Sequence, residues 1–181
     1  MLKNIVNRDV LKNAFVCLFL WGIGFIVAFS LFQHHDSAGR LHLKQPYTLF
    51  GAKTMGLFFK IFLNNALVAL LISVGGYFTG GLLAVIISFW NGVKLGLIVG
   101  EALFHLSLMY ILFALIHAPL EITAFCWFGA IGLLGFQNVR RIWSEKKPTL
   151  ATFPRYRDFI PPLVLLFIAA LTETSLFIFH S

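Results

Sequence analysis

Apolar residues along this chain gather in five long runs, separated by short stretches where polar and turn-forming residues collect. A helix needs about 20 mostly apolar residues to span the hydrocarbon core of a bilayer. On that measure the pattern predicts crossings at 14–32, 64–90, 93–116, 119–137 and 160–179. The first run is longer than the apolar region of a cleaved signal peptide, which spans about 7–15 residues, and no convincing cleavage site follows it. It is therefore expected to be a retained span. Over 51–62, Lys53 and Lys60 interrupt Leu57, Phe58, Phe59 and Ile61, a pattern that suits an amphipathic segment at the interface.

Breakers set the boundaries. Asn91-Gly92 is a turn signal between the second and third runs. Pro119 suits a helix start, where its missing N–H leaves nothing unpaired, and Glu121 follows in the first turn, where the helix dipole favours negative charge. Pro161-Pro162 opens the fifth span by the same reasoning, leaving 138–157 as a basic hydrophilic loop. The expected fold is an all-α, polytopic membrane bundle forming a single transmembrane domain over 1–181.

Composition agrees: 59% of residues are hydrophobic, only 12% are charged, and mean hydropathy is +0.88. A soluble domain has about 25% charged residues, and this surface would be stranded in water. The net charge of +7 reads as a topology signal. With the N-terminus in the cytoplasm, five crossings put Lys3, Arg8, Lys12, Lys94, Arg140, Arg141, Lys146, Lys147, Arg155 and Arg157 on one side. Arg40, Lys44, Lys53 and Lys60 remain on the other, so the basic side is cytoplasmic and the C-terminus is outside. Nothing points to nucleic acid. Cys17 and Cys126 lie in apolar runs and read as small hydrophobes.

Small residues recur at helix-packing spacings. Gly92, Gly96 and Gly100 repeat every fourth position, Gly76 and Gly80 form a second pair, and Gly129 and Gly132 belong to a third series ending at Gly135. Such spacings let membrane helices approach closely, so the second, third and fourth spans are expected to form the tight centre with the first and fifth outside.

Carboxylates inside spans are functional candidates by default, since each costs about 2.5–3.5 kcal/mol at a helix centre on insertion scales. Glu101 with His105, and His117 with Glu121, stand one helical turn apart and can pair locally. The first pair is expected about 21–24 Å below the outer end of its span and the second only about 5 Å below, too far apart in depth to share one ion. No metal or cofactor is expected. Glu121, Glu173, His117, Asn64 and Asn65 converge at one level near the outer surface, a candidate polar pocket.

These residues also carry a resemblance. Asn64-Asn65, the glycine-rich second span, Asn91-Gly92 with Gly96, His117-x-x-x-Glu121 with Ala124, and Ala169-Ala170-x-x-Glu173 occur in an order that resembles the stage II sporulation protein M-like family of bacterial and archaeal membrane proteins. Ile116, Ala118 and Thr123 depart from that family's usual Pro-His-Gly-x-x-Glu break and its following proline. The resemblance implies a polytopic protein of the cell membrane without established enzymatic chemistry. It also implies a protein partner in the membrane or a homo-oligomer: a scaffold or accessory subunit for a cell-envelope machine, or for the export of, immunity to or maturation of a circular bacteriocin. Two other readings stand beside it. One is an intramembrane enzyme acting on a peptide through His117, Glu121 and Glu173, with or without a metal. The other is a small transporter or channel using Glu101 and His105 as a proton relay.

Overall fold

The computed structural model of the protein describes residues 8–35, 54–145 and 154–179, and every described element is helical. Helix α1 is Arg8–His35. Helix α2 is Thr54–Leu70, prolonged by a π-helical turn, Leu71–Gly75, and a last turn, Gly76–Phe78. Then follow α3 (Leu82–His105), the short α4 (Leu108–Ala114), α5 (Ala118–Glu145) and α6 (Tyr156–Phe179). Five of these helices are long and apolar enough to cross a membrane, α4 being the exception.

The second and third crossings lie about a dozen residues earlier than the apolar pattern placed them. The reversal between them falls at Thr79–Gly81, where Gly80 (φ 64°) and Gly81 (φ 90°) adopt the left-handed conformation that glycine accepts without steric cost. The Gly81 N–H donates to the Gly76 carbonyl at 2.7 Å, and the Thr79 hydroxyl donates to Gly75 and accepts from the Leu83 N–H. The N–H groups of Thr79, Gly80 and Gly81 are all engaged, a strong helix stop. Gly80 is thus a turn residue rather than a packing one. Asn91-Gly92 lies inside α3, where Gly92 is buried against α1. The described part of 51–62 is not a separate interfacial segment but the beginning of α2.

Other boundaries shift less. α1 extends beyond 14–32 at both ends, and Asn13 within it donates to the Ala130 carbonyl at 3.3 Å. α5 runs on to Glu145, absorbing the first part of the expected basic loop; positions 146–153 lie outside the described residues. α6 begins at Tyr156, ahead of Pro161-Pro162, with Asp158 accepting from the Arg155 N–H at 2.9 Å to open its first turn.

Helix α5 is the hub, packed against α1, α2, α3 and α6. Its inner face places Ala124, Phe128 and Ile131 against Ala69 and Ile72 of α2, Ala84 of α3 and Leu166 of α6. The first span is not peripheral as expected. α1 lies along α3, running parallel to it: a Cβ at Gly92 would run into the Trp21 carbonyl, and one at Gly96 would stand 2.5 Å from the Phe25 carbonyl oxygen. Gly100 faces the Phe32 ring, and Gly24 on α1 returns the approach against Phe89. On the other side of the hub, Gly132 meets Ile72, Gly76 and Ala84, and Gly135 meets Tyr77. Gly129 fits against Cys17 and Ser88. Cys17 and Cys126 are both buried free thiols.

Candidate functional site

The end of the bundle where α5 starts is built from three helices. A tight turn over 115–117 reverses the chain after α4, with Ala118 N–H donating to the Leu115 carbonyl at 2.9 Å. The His117 carbonyl accepts from the Leu120 and Glu121 N–H groups, so His117 caps the start of α5 through its backbone. That leaves its ring free to point elsewhere. Glu121 occupies the first turn of α5, where the free N–H dipoles favour a carboxylate. Thr123 donates back to the Pro119 carbonyl at 2.7 Å.

Two cross-helix contacts assemble the site. Asn65, on α2, donates its side-chain amide to Glu121 Oε1 on α5. His117 Nε2 lies 3.8 Å from Glu173 Oε2 on α6, with side chains 13% and 25% exposed respectively. Glu173 is also near enough to act electrostatically on Glu121. Burial holds the His117 ring below its ordinary pKa, opposed by the Ala114 carbonyl, and its buried Nδ1 makes no hydrogen bond. At 3.8 Å the imidazole is a polar neighbour of Glu173, beyond hydrogen-bond distance. Two carboxylates, an amide and an imidazole are thus brought together, four of the five residues that the sequence reading grouped. Their partners differ from that reading: His117 does not pair with Glu121 one turn on, because it precedes the helix and shares no helical face with it.

Asn64 is not brought into the site. It is exposed on α2, rotated away from Asn65. Glu101 is not deep: it lies in the last turns of α3, about 6 Å from the end at His105. Glu101 is half-buried, His105 is exposed, and the two make no hydrogen bond with each other. The depth difference that was to separate the Glu101 and Glu121 pairs is therefore absent. Among the described residues, no three His, Cys, Asp or Glu side chains are gathered as a set of metal ligands.

Several supporting residues escaped the sequence reading. Phe58, Phe62, Asn65 and Ala69 share one face of α2, and the rings of Phe58 and Phe62 meet Phe167 of α6 edge-on at 5.3 and 5.6 Å. This aromatic clasp sets α6 against α2 beside the polar contacts. Below it, the π-helical turn wraps around the buried Ser73, whose hydroxyl donates to the Ala69 carbonyl at 2.6 Å. Such π turns inside α-helices are frequent at functional sites. The spacing of Phe58 and Phe62, one turn apart, was the available signal for the clasp, but the partner ring on α6 was not readable.

Comparison with known proteins gives one match. The family model described as stage II sporulation protein M covers residues 11–176, which includes every residue of the site. No curated protein and no solved structure matches the chain.

Proposed function

The chain belongs to the stage II sporulation protein M family, and on that premise we propose that it is a non-catalytic scaffold or accessory subunit of a membrane-bound machine. The machine is one of the cell envelope, or one of bacteriocin export, immunity or maturation, in the plasma membrane of a bacterium or archaeon. The N-terminus is cytoplasmic and the polar site opens toward the outside. Basic residues support this orientation: Lys94 lies at the middle of α3, far from either end, and no longer counts, yet nine of the ten cytoplasmic positions remain against four outside.

The observation that carries the reading is the pairing of Asn65 with Glu121 and of His117 with Glu173 across three helices. The Asn65–Glu121 hydrogen bond ties α2 to α5, and His117, just ahead of α5, lies beside Glu173 of α6, which relates the three helices at the outer end. The helices beneath are close-packed along small residues, and we read Gly92, Gly96 and Gly100 as the association seam of α1 with α3. A rigid frame presenting a shaped polar end is what a docking subunit requires.

Complementation tests this. In cells lacking the gene, the wild-type chain should restore envelope integrity and survival under a membrane-active peptide. Glu121→Gln should reach the membrane at normal level yet fail to restore either, while Glu101→Gln should succeed. Turnover of a peptide by the purified chain, abolished by Glu121→Gln, would overturn the non-catalytic reading.

A further inference from the structure

Lys94 stands at the middle of α3, about 18 Å from Leu82 and slightly less from His105 at 1.5 Å per residue. Half the hydrocarbon core is about 15 Å, and a lysine side chain reaches only about 6 Å, so the ammonium cannot snorkel to either headgroup layer. Its side chain is exposed and makes no hydrogen bond or ion pair among the described residues. Around it the surface is apolar: Trp90 and Ile98, one turn to either side, are each 56% exposed. α1 occupies the opposite face of α3, along Gly92, Gly96 and Gly100. Two and three turns toward the outer end, on the same face as Lys94, come Glu101 and His105, which have no hydrogen-bond or ion-pair partner among the described residues.

An unpaired ammonium facing lipid at mid-bilayer is costly, and such groups almost always face protein or a watery cavity. Among the described residues no counter-charge is available at that depth. Asp9, Glu145 and Asp158 lie at or beside helix ends, and Glu121 and Glu173 belong to the polar site. Glu101 remains, but it is about 10 Å farther along the same helix. A second copy does not supply it either. Two copies of one topology place equal residues at equal depth, so Lys94 would meet Lys94.

We propose that this face of α3 docks a transmembrane helix of another protein, one carrying an aspartate or glutamate at mid-bilayer depth. The partner's carboxylate sits against Lys94 between Trp90 and Ile98, and a basic or amide side chain two turns outward meets Glu101 and His105. This surface is separate from the polar site of α2, α5 and α6, and its occupant stands whether or not that site has the role assigned to it above.

The test uses the full-length purified chain in phosphatidylcholine vesicles at neutral pH. The probe is a synthetic transmembrane peptide of leucine and alanine with a single central aspartate. Energy transfer between a dye on the protein and one on the peptide reads association. The aspartate peptide should associate about five- to thirtyfold more strongly than the same peptide with leucine, the range expected for a hydrogen-bonded polar contact between membrane helices. Lys94→Met should abolish the difference, and Lys94→Arg should keep it. Because Lys94 is exposed, Lys94→Met should retain the thermal stability of the wild type. Equal association of both peptides, or an aspartate preference that survives Lys94→Met, would overturn the proposal. So would self-association of the protein that is lost in Lys94→Met, which would give the face to a second copy.

Discussion

Asn64 and Asn65 are neighbours in sequence, and a rotation of about 100° per residue around the helix decides which of them meets Glu121. Asn65 faces α5 and donates to Glu121; Asn64 is exposed. Removing a hydrogen-bond donor from a buried carboxylate costs about 1–3 kcal/mol, so Asn65→Ala should lower unfolding stability in detergent micelles by that amount. Asn64→Ala should stay within about 0.5 kcal/mol, as exposed substitutions do. Equal losses would mean that the amide contact is not structural. That Glu121, Glu173 and His117 lie close to helix ends was legible in the sequence, by counting from the ends of the apolar runs. Which asparagine turned inward was not, because that depends on how α2 rolls against α5 and α6. His117 carries a pH prediction. With its pKa lowered by burial, the ring should be neutral at pH 7 and take a proton only below the ordinary histidine value of about 6.5. Between that value and its own lower one, the unfolded chain binds the proton and the folded chain does not. His117 should therefore subtract stability as pH falls through the window, and have no effect above it. Ring resonances of a selectively labelled His117 would report the titration; an imidazolium at pH 7 would contradict it.

At the scale of the helices, the instructive difference is the reversal at Thr79–Gly81. Asn-Gly is among the strongest turn signals, and Gly80-Gly81 read equally well as part of a packing series. What separates them is a neighbour. Gly92 has no room for a side chain because the Trp21 carbonyl lies against it, whereas Gly80 and Gly81 need their glycines for backbone angles. Only the position of α1 distinguishes the two uses. A short glycine-serine insertion after Gly80 should therefore be tolerated, and the same insertion after Asn91 should abolish folding. Gly81→Ala should cost about 1–2 kcal/mol through its left-handed conformation. The glycine seams divide likewise. Gly96→Leu forces a side chain into the Phe25 carbonyl, while Gly22→Leu meets open space. Thermal unfolding of the two purified variants should show a severe loss for the first and little change for the second. Equal stabilities would argue that α1 does not lie on α3.

For the whole molecule, the five crossings were readable from apolar length, although two were displaced, and the hub was not. The glycine spacing pointed to the second, third and fourth spans as the centre, but glycine marks where helices approach and not which helix approaches. α1 supplies the partner surface for Gly92, Gly96 and Gly100, and α5 touches every other crossing. In that arrangement α1, α3 and α6 run one way through the membrane and α2 and α5 the other, which puts Asn65, His117, Glu121 and Glu173 near one surface. The role proposed for these residues depends on that surface being the outer one. Cysteine labelling in intact cells decides it. Single cysteines replace Ser37 and Ser144 in a background without Cys17 and Cys126, and an impermeant thiol reagent is added from outside. Position 37 should label and position 144 should react only after the cells are opened; labelling of 144 in intact cells, alone or together with 37, would contradict the account.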